Sequence, residues 1–335
     1  MPKSKAIVLF SGGLDSLLAV KILEVQGIEV MGVCFESNFF KADKARIIAS
    51  ELGINLKVVD ISELELELVK NPLSGYGKHL NPCIDCHSLM IKTASAIAKK
   101  EKFDFIATGE VLGQRPFSQN KESLKRVEAI AGVEVLRPLS AKLLDKTEIE
   151  KKGLVNRGRL SNIRGRSRER QLELARKYRI QNVPSPAGGC LLTDSEFSQR
   201  LNKMLDYWPK CSINDVELLK YGRVTWLTTK KKEKVLIVIG RHENDNNNLE
   251  KIHKSGDIII KLKNINGPIT KIRIMNEEFR IENKILELNI PKDLKMSELK
   301  LNEEKSEKEV VNISGLLTGW YAVKARGKKV KLNIN

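Results

Sequence analysis

The chain has 335 residues, 41% of them hydrophobic, which is enough to bury a core in each of two or three domains. No apolar run approaches the roughly 20 residues that a membrane span requires, and no signal-peptide layout precedes the first apolar segment, so we expect a cytoplasmic protein without membrane contact. The 59 Lys and Arg residues outnumber the 42 Asp and Glu residues, and the net charge of +17 favours a polyanionic partner such as RNA or DNA.

Strand-like and helix-like segments alternate over the first 112 residues or so. Strands are predicted over 6–10, 29–35, 56–61 and 103–110, and helices over 15–26, 41–52 and 87–101. Strands separated by helices of this length form a parallel sheet with right-handed crossovers. We therefore predict an α/β fold with a doubly wound, Rossmann-like parallel sheet, whose ligands bind at the carboxyl ends of the strands.

The character of the sequence changes in its last third. Short β-branched runs follow Cys211, namely GRVTWLTT, KVLIVIG, DIIIKL, PITKIRIM and KILELNI, and turn residues and Lys clusters divide them. The polar tract ENDNNN (243–248) is expected to be a turn or a helix start. This pattern predicts a smaller β-rich domain, and we divide the chain into domains 1–204 and 205–335.

The segment SGGLDS (11–16) lies between the first predicted strand and the first predicted helix. Two glycines there permit a tight turn, which leaves backbone N–H groups and a helix N-terminus facing an incoming anion. Ser11 and Ser16 add hydroxyl donors, and Asp15 can hold a metal ion that bridges phosphates. The site suits a triphosphate, although neither the Walker loop nor the dinucleotide fingerprint is present.

SGGLDS after an N-terminal strand resembles the PP-loop of the ATP pyrophosphatase family, whose members bind ATP, adenylate a substrate oxygen and release pyrophosphate. That resemblance implies ATP and Mg²⁺ as cofactors, Asp15 as a catalytic residue, and Phe35 and Gly109 near the adenosine. It also implies that the pyrophosphate part of ATP is cradled by five residues of the loop: Ser11, Gly12, Gly13, Asp15 and Ser16.

The five cysteines are too few and too unevenly spaced for a secreted disulfide framework. Cys83 and Cys86 lie in NPCIDCH (81–87), which we read as a loop ahead of a helix that starts near His87. A helix N-terminus lowers thiol pKa values, so at least one of the two is expected to have thiolate character. Cys190 follows the glycines of SPAGGC, while Cys34 and Cys211 are expected to be structural.

Within the PP-loop family, NPCIDCH and a later Gly-Cys resemble the tRNA thiouridylases. One branch pairs a cysteine with a Gly-flanked persulfide carrier, and Cys86 and Cys190 match those positions. Another branch holds a [4Fe-4S] cluster with three cysteines and leaves one iron free to bind sulfide, and Cys83, Cys86 and Cys190 supply that set. A Cys-x-x-Cys pair plus one distant cysteine favours the cluster, because persulfide exchange leaves Cys83 without a role; structural zinc is the third option.

The segment RLSNIRGRSRERQ (159–171) concentrates arginines in a short stretch. It is either a solvated face or a tRNA phosphate contact, and the RNA-binding prediction rests on Arg164, Arg166, Arg168 and Arg170. FIATGEVLGQRPFSQN (105–120) is expected to form a loop over the pocket, with Arg115 near the reacting groups. In the C-terminal domain, YGRVTW and LIVIGRHENDNNNLEKI resemble the RNA-binding domain of the NFACT proteins, which would give Arg223 and Arg241 contacts with RNA.

These observations predict an ATP-dependent tRNA sulfurtransferase that forms 4-thiouridine or 2-thiouridine. The sulfur donor is sulfide or a cysteine desulfurase, and the oligomeric state, a homodimer included, stays open. Two alternatives remain: a PP-loop ligase or amidotransferase acting on a small molecule, and a non-enzymatic RNA-binding protein of translation quality control. The basic segments argue against the first alternative, and the complete SGGLDS argues against the second.

Overall fold

The protein is described here from a computed structural model over residues 4–180, 182–183, 189–275 and 284–335. The chain divides into two compact units, Met1–Ser195 and Glu196–Asn335. The predicted boundary between residues 204 and 205 lies within helix α8 (Ser195–Tyr207) and stays a prediction. Among the described residues, no helix is both long and apolar enough to cross a membrane.

The first unit is an α/β domain. Its elements, in chain order up to α8, are β1 (Lys5–Leu9), α1 (Leu14–Glu24), β2 (Glu29–Glu36), α2 (Asp43–Leu52), β3 (Leu56–Asp60), α3 (Ser62–Lys70), α4 (Cys83–Glu101), β4 (Phe105–Thr108), α5 (Lys121–Ala131), α6 (Glu148–Lys151) and α7 (Glu169–Lys177). The four strands form a parallel sheet in the order β3-β2-β1-β4. The predicted α/β class, the four strands and the first two helices are confirmed.

Both faces of this sheet are buried, as a doubly wound fold requires. Along β1, Ala6 and Val8 pack on the side of α1, while Ile7 packs on the opposite side, beside Ala94 of α4. Neighbouring strands are in register, since Ile7 lies opposite Met31 on one side and Ile106 on the other. The carboxyl ends of β1, β2 and β4 therefore lie side by side, and the segments that follow them form the candidate site.

Several parts of the first unit differ from the sequence prediction, including helices α5, α6 and α7, which were not predicted. Helix α4 begins at Cys83 rather than near His87, so the cysteine pair lies in its first turn and not in a preceding loop. Helix α3 was not predicted, because its sequence SELELELVK alternates like a strand. In the structure its buried positions, Glu65, Leu66 and Val69, follow a helical spacing.

The second unit contains a mixed, seven-stranded sheet in the order β10-β5-β6-β8-β7-β11-β9. After α9 (Ile213–Leu218), its elements are β5 (Arg223–Thr229), β6 (Lys234–Ile239), α10 (Glu243–Lys251), β7 (Ile258–Leu262), β8 (Thr270–Ile274), β9 (Lys284–Asn289), β10 (Glu304–Lys305), α11 (Glu307–Tyr321) and β11 (Lys329–Ile334). All five predicted β-branched runs form strands, and ENDNNN lies in α10. Helix α11 and strand β11 were not predicted.

The two faces of the second sheet are packed in different ways. Helix α11 covers one face through its small residues, and a Cβ atom at Gly319 would lie 2.3 Å from Ile290 Cδ1. On the other face, β8 carries two buried cations, Lys271 and Arg273. Arg273 donates to Asp257 Oδ2 at 2.7 Å and to Asp215 Oδ1 at 3.0 Å, so the buried charges are paired.

Candidate functional site

The loop between β1 and α1 forms a cradle of hydroxyl and amide groups. Gly13 is the N-cap of α1 and has no side chain to cap the first turn, so helix N–H groups remain available to an anion. Ser16 Oγ donates to the Gly13 carbonyl at 2.9 Å and lies 3.3 Å from both the amide nitrogen and Oγ of Ser11. These contacts hold the two serine hydroxyls at the mouth of the helix, where a phosphate group would bind.

Two glycines allow the chain to pack tightly around this loop. Gly12 has φ +70°, and a Cβ there would lie 2.8 Å from the Ala45 backbone in α2. Gly109, just after β4, lies against the first turn of α1, since its Cβ would be 2.5 Å from the Ser16 nitrogen. A side chain at either position requires the loop to move. The placement of Gly109 beside the loop agrees with its predicted part in nucleotide binding, which stays a prediction.

Asp15 lies in the first turn of α1 with its two carboxylate oxygens in different situations. Its Oδ2 atom accepts a hydrogen bond from Gln114 Nε2 at 2.9 Å. Its Oδ1 atom is buried and has no partner among the described residues. A buried carboxylate oxygen that is left unpaired costs free energy unless it meets a cation or a donor. Asp15 is thus suited to a metal ion at the phosphates.

Positive charge lies beside the loop. The Lys44 carbonyl carbon would be 3.0 Å from a Cβ at Gly12, so the backbone of Lys44 borders the cradle. Burial, together with the nearby charge of Arg168, lowers the pKa of Lys44. Arg168 comes from the predicted arginine segment, which the structure therefore brings to the phosphate-binding end of the sheet.

The rest of the arginine segment follows the same edge of the first unit. Arg164 forms a β-bridge with Leu112, and the Gly165 amide donates to the Leu112 carbonyl at 2.8 Å. Arg164, Arg166 and Arg170 are exposed, and Arg170 forms a surface pair with Glu173 at 3.4 Å. Their predicted contact with RNA is untested. Phe35 is buried in the core beside α4, and its predicted proximity to adenosine also stays a prediction.

The cysteine pair begins helix α4. Cys83 donates to Asn81 Oδ1 at 2.9 Å, and the buried Cys86 donates to Glu65 Oε1 at 3.1 Å. Burial raises the pKa of Cys83, and burial and Glu65 raise the pKa of Cys86 well above its ordinary value. The predicted thiolate character at neutral pH is therefore wrong. The helix terminus is present, but desolvation of the thiols and the adjacent carboxylate outweigh it.

Cys190 belongs to the same neighbourhood. The residue after it is fixed at the carboxyl end of the sheet, because the Leu191 amide donates to the Phe39 carbonyl at 2.9 Å. Burial, with smaller contributions from the nearby Glu65 and Cys83, raises the pKa of Cys190 to about 12. Glu65 and Cys83 therefore lie within electrostatic reach of Cys190. Residues 184–188, which include the first four residues of SPAGGC (185–190), lie outside the described part of the chain.

Glu65 is a site residue that the sequence analysis missed. Its side chain is fully buried, and burial raises its pKa, while a hydrogen bond from Cys86 acts in the opposite direction. Glu65 Oε2 has no hydrogen-bond partner among the described residues. A signal was available, because Glu65 occupies a core position between Ile61 and Val69 at helical spacing. A carboxylate in such a position is typical of a functional site.

The segment after β4 connects the two parts of the site. Gln114 binds Asp15 of the phosphate loop, as described above, while the adjacent Arg115 acts on Cys83, whose pKa it lowers against the effect of burial. The segment is folded on itself, since the Gly113 amide donates to the Gln119 carbonyl at 2.7 Å. This arrangement agrees with the predicted position of Arg115 near the reacting groups.

A buried charged network supports this segment. Glu110 accepts hydrogen bonds from Arg137 Nε and Thr108 Oγ1, both at 3.0 Å, and lies 2.9 Å from His87 Nδ1. Although burial opposes ionisation, Arg137 and His87 hold the pKa of Glu110 at about 2. The ionised carboxylate therefore fixes the ring of His87, next to Cys86, with Nδ1 as the donor. Glu110 and Arg137 were not predicted from the sequence.

The three cysteines that were predicted to form the sulfur site are not arranged as a metal-binding site in the structure. Within the described residues, no three His, Cys, Asp or Glu side chains are grouped so as to hold a metal ion. The cysteines expected to be structural are buried, as predicted: Cys34 is 5% exposed and Cys211 is 1% exposed. Burial raises the pKa of Cys34 to about 11, which is typical of an inert core thiol.

The comparisons with known proteins concern the first unit. Residues 2–153 match the family model described as thiamine biosynthesis protein (ThiI). A probable tRNA sulfurtransferase of Thermoanaerobacter sp. (strain X514) is 34% identical over 154 residues, which cover 43% of this chain and 38% of that protein. A probable tRNA sulfurtransferase of Thermococcus kodakarensis is 30% identical over 152 residues, covering 44% of this chain and 39% of that protein. The chain thus spans less than half the length of these relatives.

Two solved structures show weaker likeness. A 4-thiouridine synthetase in complex with RNA and bound ATP has a TM-score of 0.37 and 23% identity, covering 64% of this chain and 52% of that chain. The U34-tRNA thiolase NcsA from Methanococcus maripaludis, with its [4Fe-4S] cluster, has a TM-score of 0.32 and 17% identity, covering 67% of this chain and 75% of that chain. Residues 2–153, which hold the phosphate loop and the cysteine pair, are therefore the part of the chain that is similar to the ThiI family model and to these tRNA sulfurtransferases.

Proposed function

We propose that this chain is an ATP-dependent tRNA sulfurtransferase. The single observation that carries the proposal is the connection of the two parts of the site by adjacent residues, since Gln114 binds Asp15 and Arg115 acts on Cys83. A loop that binds ATP and thiols that are linked to it suit a reaction in which ATP activates an oxygen atom and sulfur then replaces that oxygen. The printed names of the relatives, tRNA sulfurtransferases, support the choice of tRNA as substrate.

The first step is adenylation. A uridine carbonyl oxygen attacks the α-phosphorus of ATP, a P–O bond forms to that oxygen, and pyrophosphate leaves. The hydroxyls of Ser11 and Ser16 and the free N–H groups of α1 hold the departing pyrophosphate. Mg²⁺ fits the site, because Asp15 Oδ1 is a buried carboxylate oxygen without a partner among the described residues. Asp15 would hold that ion, which neutralises phosphate charge when bound.

The second step replaces oxygen by sulfur. The adenylated carbon accepts a sulfur nucleophile, a C–S bond forms, the C–O bond breaks and AMP leaves. The product is 2-thiouridine or 4-thiouridine. The Arg115 guanidinium, which lies near Cys83, is in reach of the negative charge that develops as sulfur adds and AMP departs.

For the sulfur site we propose a [4Fe-4S] cluster held by Cys83, Cys86 and Cys190. The donor chemistry fits, since thiolates are the ligands that such clusters take, and Cys86 lies within electrostatic reach of both Cys83 and Cys190. When bound, such a cluster supplies sulfide as the nucleophile. Persulfide exchange between Cys86 and Cys190 is the alternative, but it leaves Cys83 without a role.

The test of the proposed function is pyrophosphate release by the full chain with ATP and unmodified tRNA. We expect release that depends on tRNA and that Asp15→Asn abolishes. Asp104→Asn is the matched control, because Asp104 accepts a hydrogen bond from the Lys5 amide at the opposite end of β1. Release that is equal with and without tRNA would instead favour a small-molecule ligase.

The sulfur site has a separate test. Protein purified without oxygen is expected to be brown, and replacing Cys83, Cys86 or Cys190 with Ala should remove the visible absorption. Cys211→Ala is the control, since that cysteine lies buried in the second unit. A colourless wild-type protein whose activity requires only Cys86 and Cys190 would support persulfide exchange instead.

A further inference from the structure

The C-terminal end of the second unit has an unbalanced positive charge. The residues from Val310 to Asn335 include five Lys or Arg and no Asp or Glu. The loop that joins α11 to β11 pairs with the loop after β9, because the Gly327 amide donates to the Ile290 carbonyl at 2.8 Å and the Ile290 amide donates to the Lys328 carbonyl at 2.9 Å. These bonds bring the basic residues of both loops to one surface.

Three lysines of this surface extend into solvent. Lys292, Lys324 and Lys328 are exposed, and none of them forms an ion pair with another described residue. Lys292 lies along the facing loop, since its Cγ would be 3.0 Å from a Cβ at Gly327. By contrast, Lys329 and Lys331 are partly neutralised by Glu287, at 2.7 and 3.2 Å. The first three lysines are therefore the ones whose charge is available to an outside anion.

An aromatic residue and an arginine are already stacked beside these lysines. The Arg326 guanidinium lies 4.7 Å from the centre of the Trp320 ring, and its Nε donates to the Trp320 carbonyl at 2.8 Å. The ring centres of Trp320 and Tyr321 lie 4.9 Å apart in an edge-to-face arrangement, and the Arg223 guanidinium lies 4.2 Å from the centre of the Tyr321 ring. Both Trp320 and Arg326 are half-buried, so each is held in place while part of it still faces solvent.

We propose that this surface, formed by Lys292, Lys324, Lys328, Arg326 and Trp320 and called the C-terminal basic patch below, binds an unpaired segment of the substrate RNA. The three lysines contact phosphates, and the Arg326–Trp320 stack contacts a base. An unpaired segment is inferred because a base inside a duplex offers no face for stacking. The inference rests on the proposed function, since it takes the tRNA that the first unit would modify as the partner.

RNA fits the patch better than an anionic membrane does. The large hydrophobic residue most exposed here is Val323, at 72%, and one valine provides little area for insertion into lipid. A planar guanidinium stacked on an indole suits a base and a phosphate, whereas an ammonium group alone serves only as a point charge.

The test is the affinity of the full chain for an unmodified tRNA transcript over a series of KCl concentrations. The variant K292A/K324A/K328A removes three phosphate contacts, so we expect the slope of log K against log salt to fall by about 2, and the affinity to fall about 100-fold at about 0.1 M salt. The control is K230A/K231A/K232A, which removes the same charge from the turn between β5 and β6. There Lys232 pairs with Glu304 and Lys231 lies 3.7 Å from Glu307.

A second measurement tests stacking. Trp208 and Trp226 are 3% and 8% exposed, so a fluorescence change on RNA binding reports mainly on the half-buried Trp320. We expect a single-stranded oligonucleotide to quench this signal and a duplex of equal length to leave it unchanged, and Arg326→Lys should weaken the quenching while it preserves the salt slope. Trp320→Phe should remove the signal.

Three outcomes would overturn the proposal: an unchanged slope in the lysine variant, an equal loss in the control, or tighter binding to vesicles of anionic lipid than to RNA. These assays measure RNA binding and not catalysis, so their outcome does not depend on whether the protein catalyses the proposed reaction. A patch that binds tRNA in a protein that releases no pyrophosphate would refute the proposed function and leave the patch in place.

Discussion

Replacing Gly109 with Ala tests whether the segment after β4 must lie directly on the phosphate loop. A Cβ at residue 109 would be 2.5 Å from the Ser16 nitrogen and 2.6 Å from the Asp15 carbonyl carbon, and all of these neighbours are backbone. Ordinary contact begins near 3.4 Å, so the segment must move away from α1 by about 0.9 Å. A displacement of about 1 Å at a reacting site costs roughly 100-fold in rate. We expect Gly109→Ala to lower tRNA-dependent pyrophosphate release by about that factor.

The assay is steady-state pyrophosphate release, with circular dichroism to verify the fold. Gly53→Ala is the control, because Gly53 ends α2 with φ +66° and has no atom within 4 Å of its Cβ position. That variant loses about 1 kcal/mol of stability from backbone strain but leaves the phosphate loop untouched. The reasoning is refuted if Gly109→Ala keeps wild-type activity, or if both variants lose activity equally.

Three further predictions concern charge and thiol reactivity. Glu110 has a pKa of about 2 in the folded protein and 4.5 as its ordinary value, so it contributes stability above pH 4.5 that is lost as the pH falls towards 2; thermal unfolding across this range should show a decline worth about 3 kcal/mol, and Glu110→Gln should flatten it. In metal-free protein, the alkylation rate of Cys190 by iodoacetamide, followed by mass spectrometry, should rise with a midpoint near pH 12, and a midpoint near pH 9 would show that burial of the thiol is not maintained. Glu65→Gln should lower the pKa of Cys86 and speed its alkylation at pH 8, whereas Glu63→Gln, an exposed neighbour on α3, should not.

The fold of the first unit followed closely from periodicity. Buried strands and amphipathic helices alternate there, and each strand is bounded by turn residues, so local pattern and tertiary structure agree. Helix α3 is one exception, because alternation of Glu and Leu in SELELELVK has the period of a strand while the core selects a helix. Five strands of the second unit were also predictable, but β11 and the strand order were not, since β7 and β11 pair across a sequence separation that no local pattern records.

The candidate site was predictable only where a short motif carries its own chemistry. SGGLDS and the Cys-x-x-Cys pair are short contiguous motifs, so they can be recognised in the sequence. The residues around them come together only in the folded structure. Glu65, Glu110 and Arg137 come from separate elements, and each is recognisable only once its burial is known. The error about thiolate character has the same origin, since a helix N-terminus can be read from the sequence whereas the desolvation of Cys86 cannot.

The proposed function requires that the phosphate loop and the three cysteines act on one substrate, a tRNA. The most direct measurement is mass spectrometry of nucleosides from the tRNA of cells that lack the gene, complemented with wild type, Asp15→Asn or Cys86→Ala. We predict that one thionucleoside disappears in the deletion strain and that only the wild-type gene restores it. If every thionucleoside persists in the deletion strain, or if both variants restore the missing one, the claim is wrong.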